Sequence, residues 1–203
     1  MIISHRHRFI FVRVPKTAST SVQIAFGAFC GEDDIVTSLS TRNDHEITDA
    51  DLPAAQNTTV SRWRYTPGDW VRLLLTGQAA EYDQHIIARR IRQYLGRKSW
   101  NAYFKFCVVR NPFDRAVSLY RWQERKSTTQ AVLNDYILQL PDEKLSSWHR
   151  YTIRNRIVMD HICRYERLQH ELDDVAKRLG IQLLSVPHAK AGTYDHTQSY
   201  QLL

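Results

Sequence analysis

The sequence predicts an α/β fold in which helices flank a central parallel sheet. Three segments support this prediction, because each combines a short apolar run with a helical pattern that follows it. The apolar runs lie at residues 8–14, 104–109 and 162–165. Strands that alternate with helices pair in parallel, since each helix carries the chain back across the sheet. The chain has 203 residues and no long linker, so we expect a single domain over residues 1–203.

In the first segment, Arg8 to Val14 is rich in β-branched and aromatic residues, and Pro15 ends the predicted strand. A helix is predicted next, with Thr20 or Ser21 as its N-cap. Its buried face consists of apolar residues at positions i, i+3, i+4 and i+7, namely Val22, Ala25, Phe26 and Phe29. A strand, a short polar loop and a helix in this order make the predicted three-layer fold P-loop-like.

The next part of the chain is less regular. Residues 31–69 carry many Thr, Asn, Asp, Pro and Ser residues with weak periodicity. We therefore expect irregular structure there, with a short strand at Ile35-Val36-Thr37. A helix is predicted over residues 86–95, where Gly96 ends it.

The second segment begins with a nearly continuous apolar run at residues 104–109, which is typical of a strand buried on both faces. Asn111 is the predicted N-cap of the helix that follows, with Pro112 at its first position and Asp114 in its first turn. This helix is expected to continue through Arg121 or beyond.

Three more elements are predicted toward the C-terminus. Residues 129–140 have a helical pattern, and residues 162–165 are predicted to form the third strand. An amphipathic helix is expected over residues 168–179, with Gly180 ending it.

The composition is that of a basic globular protein. Hydrophobic residues make up 43% of the chain and charged residues 24%, which excludes wholesale disorder. Lys and Arg number 28 against 21 Asp and Glu, a formal net charge of +7. This charge suits a polyanionic partner such as a nucleotide, an anionic glycan or a nucleic acid, and it equally suits a surface surplus that serves solubility.

Several patterns are absent from the sequence. No stretch approaches the roughly 20 apolar residues that a membrane-spanning helix needs, and the N-terminus lacks the pattern of a signal peptide. The three cysteines are odd in number and show neither CxxC nor metal-ligand spacing. We therefore expect a soluble cytoplasmic protein with no membrane span and no bound metal.

The loop after the first predicted strand is the first candidate anion site. It runs Val14-Pro15-Lys16-Thr17-Ala18-Ser19-Thr20-Ser21. A helix N-terminus offers free backbone N–H groups and partial positive charge, and here one ammonium and four hydroxyls surround it. The pattern is not a Walker A loop, because GxxxxGK[ST] is absent. A polar turn with a Ser/Thr helix cap is the alternative interpretation.

The second candidate anion site follows the second predicted strand. Arg110 is placed at the carboxyl end of that strand, and the helix that begins at Pro112 turns Ser118 toward the same edge. A planar guanidinium suits phosphate. An arginine that only pairs with Asp114 is the alternative. Both sites lie at strand-to-helix turns, at the edge where open α/β sheets bind ligands.

Together the two turns resemble those of the sulfotransferases that use 3′-phosphoadenosine 5′-phosphosulfate (PAPS). The closest resemblance is to the carbohydrate branch with the heparan and dermatan 2-O- and chondroitin 4-O-enzymes and bacterial relatives. In that family a PKTxSTS-like loop holds the 5′-phosphosulfate, and an RNPFDRxVSxY-like segment holds the 3′-phosphate. Residues 162–168, ICRYERL, are similar to a third family segment, with Cys163 in place of a usual glycine. The resemblance covers roughly residues 8–30 and 80–180.

The resemblance implies PAPS as the sulfate donor, 3′,5′-adenosine bisphosphate as the product and a hydroxyl-bearing acceptor, most simply a carbohydrate. It implies that Lys16 stabilises charge on the departing phosphate and that no metal is required. Ala18 stands where the family usually has glycine. The implied cofactor-binding residues are Lys16, Thr17, Ala18, Ser19, Thr20, Ser21, Arg110 and Ser118. The sequence leaves the acceptor and the oligomeric state open.

The acceptor hydroxyl needs a base, and the resemblance points to His85. Members of this branch carry a catalytic histidine at the same place relative to the second motif. A neutral imidazole near pH 7 suits the task. A surface or helix-cap histidine is the alternative, and His45 is the reserve candidate. The basic residues that follow His85 form either an acceptor-binding rim or a solvated helix face; they are Arg89, Arg90, Arg92, Arg97 and Lys98.

Two other functions compete with this hypothesis. A small-metabolite kinase would share the strand, loop and helix, but it would need Walker glycines and a Mg-binding Asp that the sequence lacks. A non-catalytic polyanion-binding module would explain the charge but not the two anion turns. Helix-turn-helix, RRM and zinc-finger signatures are absent, so no nucleic-acid partner is expected.

Overall fold

The computed structural model describes residues 1–39, 54–124 and 133–183. The strands are β1 Ile2–Ser4, β2 Phe9–Val12, β3 Ile35–Val36, β4 Phe104–Val109, β5 Thr152–Ile153, β6 Arg156–Ile157 and β7 His161–Arg164. Five of them form one sheet in the order β3-β1-β2-β4-β7, and β5 and β6 form a separate hairpin. The predicted α/β class is therefore confirmed.

The centre of the sheet is parallel, as predicted. β2 pairs with β4, with Val12 opposite Cys107, and β4 pairs with β7, with Val109 opposite Arg164. The bounds of β4 are those that the sequence predicts, and its four central residues are buried. The carboxyl ends of all three strands consequently lie at the same edge of the sheet.

The other half of the sheet is antiparallel, an orientation that the sequence analysis does not predict. β1 runs antiparallel to β2, with Ile3 opposite Ile10, and β3 runs antiparallel to β1, with Ile2 opposite Val36. The sequence analysis predicts β3 but not β1. A tight connection joins β1 to β2, and antiparallel neighbours need no crossover helix.

The helices are α1 Ser19–Gly27, α2 Pro67–Thr76, α3 Ala88–Leu95, α4 Arg97–Ala102, α5 Pro112–Glu124, α6 Leu133–Gln139, α7 Asp142–Leu145, α8 Trp148–Tyr151 and α9 Leu168–Leu179. The predicted bounds of α9 are confirmed, and Gly180 ends it with φ 67°. Part of the helix predicted at 129–140 lies outside the described residues, and α6 covers the rest.

The irregular structure expected over residues 31–69 is corrected at its C-terminal end. Thr66 and Asp69 form a capping box, in which each side chain hydrogen-bonds the backbone N–H of the other, and α2 begins between them at Pro67. The N-cap of α1 is also corrected. Ala18, which has no capping side chain, precedes the helix, so the predicted caps Thr20 and Ser21 lie in its first turn.

Helices cover both faces of the sheet, because alternate side chains of each strand point to opposite sides. On one face, Phe9, Phe11 and Phe106 pack against Phe26 of α1 and Leu172 of α9. On the other face, a second cluster joins the sheet to α3 and α4; it includes Ile3, Ile10, Val12, Ala88, Ile91, Trp100 and Cys107. The sheet is thus packed on both faces, and the loops at the carboxyl ends of its parallel strands carry the candidate site.

Candidate active site

The loop between β2 and α1 makes a tight turn onto the helix. Lys16 and Ala18 both adopt positive φ, 67° and 55° respectively. The Thr17 hydroxyl is buried and donates a hydrogen bond of 2.8 Å to the Val14 carbonyl, which closes the turn. The first backbone N–H groups of a helix have no partner within it, and α1 directs them toward this loop. The loop thus has the form of an anion cradle.

The positive φ of Ala18 explains why a glycine is usual at this position in the family that the sequence resembles. A left-handed conformation costs an L-residue about 1–2 kcal/mol, and glycine adopts it freely. We expect Ala18→Gly to raise the free energy of unfolding by about 0.5–1 kcal/mol, after the greater entropy of glycine in the unfolded chain is subtracted. Urea denaturation measures the change.

Ala28 supplies the matched control for this substitution. It ends α1 with φ −60°, a right-handed conformation in which alanine is unstrained. Ala28→Gly is therefore expected to lower the free energy of unfolding by roughly 0.5–1 kcal/mol. Equal effects of the two substitutions would contradict a strained Ala18.

Arg13, which the sequence analysis did not single out, lies beneath the loop. Its side chain is 5% exposed, and its guanidinium makes long hydrogen bonds to the hydroxyls of Ser19 (3.4 Å) and Thr20 (3.3 Å). A third bond of 3.4 Å reaches the side-chain oxygen of Gln84. Burial lowers the pKa of Arg13 to about 10, while the Asp83 carboxylate opposes the shift. Arg13 remains charged at neutral pH and joins the loop to the segment that carries His85.

The second turn places Arg110 at the carboxyl end of β4. The Arg110 guanidinium lies 4.2 Å from the centre of the Tyr165 ring, which is a cation–π contact. Beside it, the Asn111 N–H donates to the Glu166 carboxylate at 2.8 Å, and the Asn111 side chain accepts from the Phe113 N–H at 3.0 Å. The predicted N-cap Asn111 is therefore confirmed. These contacts fix the turn between strand and helix.

Two contacts bring the two motifs together. Arg115, in the first turns of α5, is 6% exposed and donates from Nε to the Pro15 carbonyl at 3.2 Å. Farther along α5, Trp122 lies with its ring centre 5.7 Å from the Lys16 ammonium. Since β2 and β4 are also adjacent and parallel, both turns lie at the same edge of the sheet. Ser118 lies on α5 between these two contacts and is half-buried.

Arg115 also holds a third segment against the site. Its two Nη groups donate to the carbonyls of Leu145 (2.7 Å) and Lys144 (2.9 Å) in α7. Burial, followed by the neighbouring Arg150, lowers the pKa of Arg115. Because its donors are used by backbone carbonyls of the protein itself, we assign Arg115 a structural role.

His85 lies in a turn shortly before α3, as predicted. Its carbonyl accepts a hydrogen bond of 2.6 Å from Arg150 of α8. The adjacent Gln84 is bonded to Arg13, which in turn bonds the hydroxyls of the loop. Among the described residues, the Nδ1 atom of His85 is buried without a hydrogen-bond partner. The segment that carries His85 is thus tied to the loop through the side chains of Gln84 and Arg13 in turn.

The surroundings of His85 keep its imidazole neutral. Burial first, and then the positive charges of Arg13 and Arg150, lower its pKa to about 4, while Asp83 acts in the opposite direction. A neutral ring at physiological pH can accept a proton from a hydroxyl. The geometry therefore combines two strand-to-helix turns, each a candidate anion site, with a neutral imidazole.

Comparison with known proteins identifies the family. The model of the sulfotransferase family matches residues 1–201. The chain belongs to the sulfotransferase family. An uncharacterised protein from Archaeoglobus fulgidus is 29% identical over 101 residues, and the match covers 45% of this chain and 79% of the archaeal protein. No solved structure matches the chain.

Some expectations for this sulfotransferase fall outside what the structure describes. The reserve base His45 lies outside the described residues.

In the described part of the chain, no group of His, Cys, Asp and Glu could hold a metal ion. No helix there combines the length and the apolar character needed to cross a membrane.

The candidate site contains residues that sequence reasoning missed, namely Arg13, Arg115, Arg150 and Tyr165. Arg115 and Tyr165 lie inside segments whose resemblance to the family was noted, so their neighbours gave a signal. Arg13 directly precedes Val14 and the loop, and an arginine at the end of an apolar strand could have been singled out. Arg150 gave no such signal, because its partner His85 lies 65 positions away.

The basic residues that follow His85 are only partly available to a ligand. Arg90 forms a salt bridge of 3.2 Å with Asp69, and its guanidinium also lies over Tyr94. Arg90 therefore joins α3 to α2. Arg89 is exposed and Arg92 is half-buried on the same helix.

Proposed function

We propose that this sulfotransferase moves the sulfuryl group of PAPS to a hydroxyl, with a carbohydrate as the acceptor. The acceptor oxygen forms a bond to sulfur as the bond from sulfur to the bridging phosphate oxygen breaks. The acceptor proton passes to His85, and 3′,5′-adenosine bisphosphate leaves. The observation that carries the proposal is the contact of Arg115 with the Pro15 carbonyl, which holds the two anion-binding turns side by side.

The loop after β2 is proposed to bind the 5′-phosphosulfate. The Ser19, Thr20 and Ser21 amides at the start of α1 and the Lys16 ammonium would surround its oxygens. Lys16 lies near the group that leaves, where negative charge grows during in-line transfer. Buried Arg13 adds a second positive charge behind the hydroxyls of Ser19 and Thr20. This arrangement supports charge stabilisation as the main contribution of the loop.

Arg110 and Ser118 are proposed to bind the 3′-phosphate. The Tyr165 ring holds the guanidinium of Arg110 from one side, so the arginine is oriented before a ligand arrives. An arginine oriented in this way loses less side-chain entropy on binding phosphate. Because its two phosphates would be held at two separate turns, the donor would have a fixed position relative to Lys16.

The proposal is tested by the thermal stability of the protein with 3′,5′-adenosine bisphosphate, compared with 5′-AMP and with ATP-Mg. A ligand that binds only the folded state adds about 2.7 kcal/mol at 100 times its dissociation constant, so a rise in melting temperature is expected for the bisphosphate. Stabilisation by ATP-Mg in its place would indicate a kinase. No stabilisation by any of the three nucleotides would contradict the proposed donor site.

Arg110→Ala is expected to weaken the binding of the bisphosphate by about 10- to 100-fold, because a charged hydrogen-bonded contact is worth about 1.5–3 kcal/mol. Calorimetric titration measures the dissociation constant. Arg110→Lys is expected to recover only part of the affinity, since an ammonium lacks the planar fork. Arg156→Ala, which removes an exposed arginine of the β5–β6 hairpin, is the matched control and should bind like the wild type.

A further inference from the structure

The helix α2 is attached to the protein by its polar side. Asp69 is 5% exposed and accepts hydrogen bonds from the Arg90 guanidinium (3.2 Å) and the Tyr94 hydroxyl (3.0 Å). Thr66 completes the capping box with Asp69. Soluble helices ordinarily bury an apolar stripe against the core and expose their charges. In α2 the acidic residue faces inward.

The apolar side of α2 faces outward. Trp70, Val71, Leu74 and Leu75, which we call the α2 apolar stripe, are 42%, 54%, 82% and 79% exposed. At 100° per residue, these four positions fall within an arc of about 140°. Such a contiguous exposed apolar surface marks an interaction site more often than scattered single residues do.

One more exposed apolar residue, which two arginines flank, lies just before the helix. Trp63 is 96% exposed, and Arg62 and Arg64 flank it in a short 3₁₀ turn. The turn is fixed to the protein body, because the Arg64 guanidinium packs over Gly96 so closely that a Cβ there would lie 2.7 Å from it. A single exposed tryptophan between two arginines therefore projects from a rigid position.

The charges around the α2 apolar stripe indicate which kind of partner it binds. Residues 61–80 contain the exposed arginines Arg62, Arg64 and Arg72 and a single acidic residue, Asp69, which already pairs with Arg90. A second copy of the chain would bring the same arginines together across a two-fold axis, where they would repel one another. An anionic bilayer meets both requirements, since its headgroups attract arginine and its acyl boundary accepts Trp and Leu.

We propose that the α2 apolar stripe and Trp63 dock this protein on the surface of a membrane that contains anionic phospholipids. The helix would lie in the plane of the interface, with Leu74 and Leu75 inserted and Arg62 and Arg72 at the headgroups. This proposal does not depend on sulfuryl transfer, because the docking surface and its test involve no nucleotide.

The test is sedimentation of the purified full chain with vesicles of phosphatidylcholine, alone or mixed with phosphatidylglycerol. Binding to the mixed vesicles is expected to be at least about tenfold stronger than to the neutral ones and to weaken in high salt. Leu74→Glu with Leu75→Glu is expected to weaken binding by about tenfold or more. Both leucines are exposed, so the melting curve should stay that of the wild type.

Leu138 provides the matched control, since it is 84% exposed on α6 and lies outside the stripe. Leu138→Glu should bind the mixed vesicles like the wild type. Failure of the wild type to sediment with mixed vesicles, or unchanged binding by the Leu74/Leu75 variant, would overturn the proposal. A wild-type dimer in light scattering that the same variant converts to a monomer would also overturn it, because the stripe would then join two copies.

Discussion

Replacing Lys16 with alanine is expected to lower the turnover number for release of 3′,5′-adenosine bisphosphate from PAPS by about 10²- to 10³-fold. The reason is the place of Lys16 in the turn onto α1, where the proposed leaving phosphate gains negative charge only as the bond to sulfur breaks. An interaction that strengthens in the transition state affects the turnover number more than the Michaelis constant. Product release counts turnover with water or any hydroxyl as the acceptor, so the measurement requires no identified carbohydrate.

Two variants separate the charge of Lys16 from a structural effect. Lys16→Arg keeps the charge and should retain a substantial part of the turnover. Lys177→Ala removes an exposed lysine of α9 and should leave turnover unchanged. A Lys16→Ala enzyme with normal turnover would eliminate Lys16 as the charge that stabilises the leaving group, whatever its effect on nucleotide affinity.

The elements that the sequence predicted well are those with strong local patterns. The bounds of β4 follow from a nearly continuous apolar run, and those of α9 from an amphipathic period that ends at Gly180. β1 carries no such pattern, because it has only three residues and a charged segment follows it. The turn into β2 has positive φ at Arg8, where a hairpin signal would ordinarily contain glycine or asparagine.

The helix α2 shows a different reason for a missed element. Its capping box of Thr66 and Asp69, with Pro67 at the first position, is a readable start signal. The helix nevertheless places that acidic residue against Arg90 and Tyr94, both more than 20 positions ahead. Sequence reasoning assumes that apolar positions face inward. The tertiary contacts of Asp69 reverse this assumption.

At the candidate site, the sequence predicted the two turns but not the residues that join them. The spacing within each motif is local, and the parallel register of β2 and β4 brings both to one edge. Arg115 contacts Pro15 across 100 positions, and Arg13 contacts Gln84 across 71. Contacts at that separation follow from the folded topology, and a single sequence contains no pattern that announces them.

Replacing His85 with glutamine is expected to lower turnover by about 10²- to 10⁴-fold, the usual contribution of a general base. The variant keeps a polar side chain of similar size and should bind 3′,5′-adenosine bisphosphate like the wild type. Release of the bisphosphate, measured with a mixed polysaccharide extract as acceptor, reports the change. Retained turnover in His85→Gln would assign the base to another group, and His45→Gln then becomes the variant to measure.

The pH dependence of the wild type identifies His85 more specifically. A base with a pKa of about 4 is neutral through the whole physiological range, so the acid limb of kcat/KM for PAPS should lie near pH 4 instead of 6.5. Arg150→Gln removes one of the positive charges that lower this pKa, and the acid limb should consequently move upward. The same profile in wild type and Arg150→Gln would contradict this account of the base.

The pH dependence of the free energy of unfolding provides a second measurement of the same pKa, and this measurement requires no substrate. Burial first, and then Arg13 and Arg150, lower the pKa of His85 in the folded state, while the unfolded chain keeps a value near 6.5. Below pH 6.5 the unfolded state therefore binds a proton that the folded state does not bind until about pH 4. The contribution to the free energy of unfolding is complete above pH 6.5 and is lost as the pH falls toward 4. His85→Gln removes this titration, so its free energy of unfolding should fall less steeply than that of the wild type over the same range. If His85→Gln changes both the pH dependence of the free energy of unfolding and the turnover, the catalytic base is the same histidine whose pKa is lowered beside Arg13.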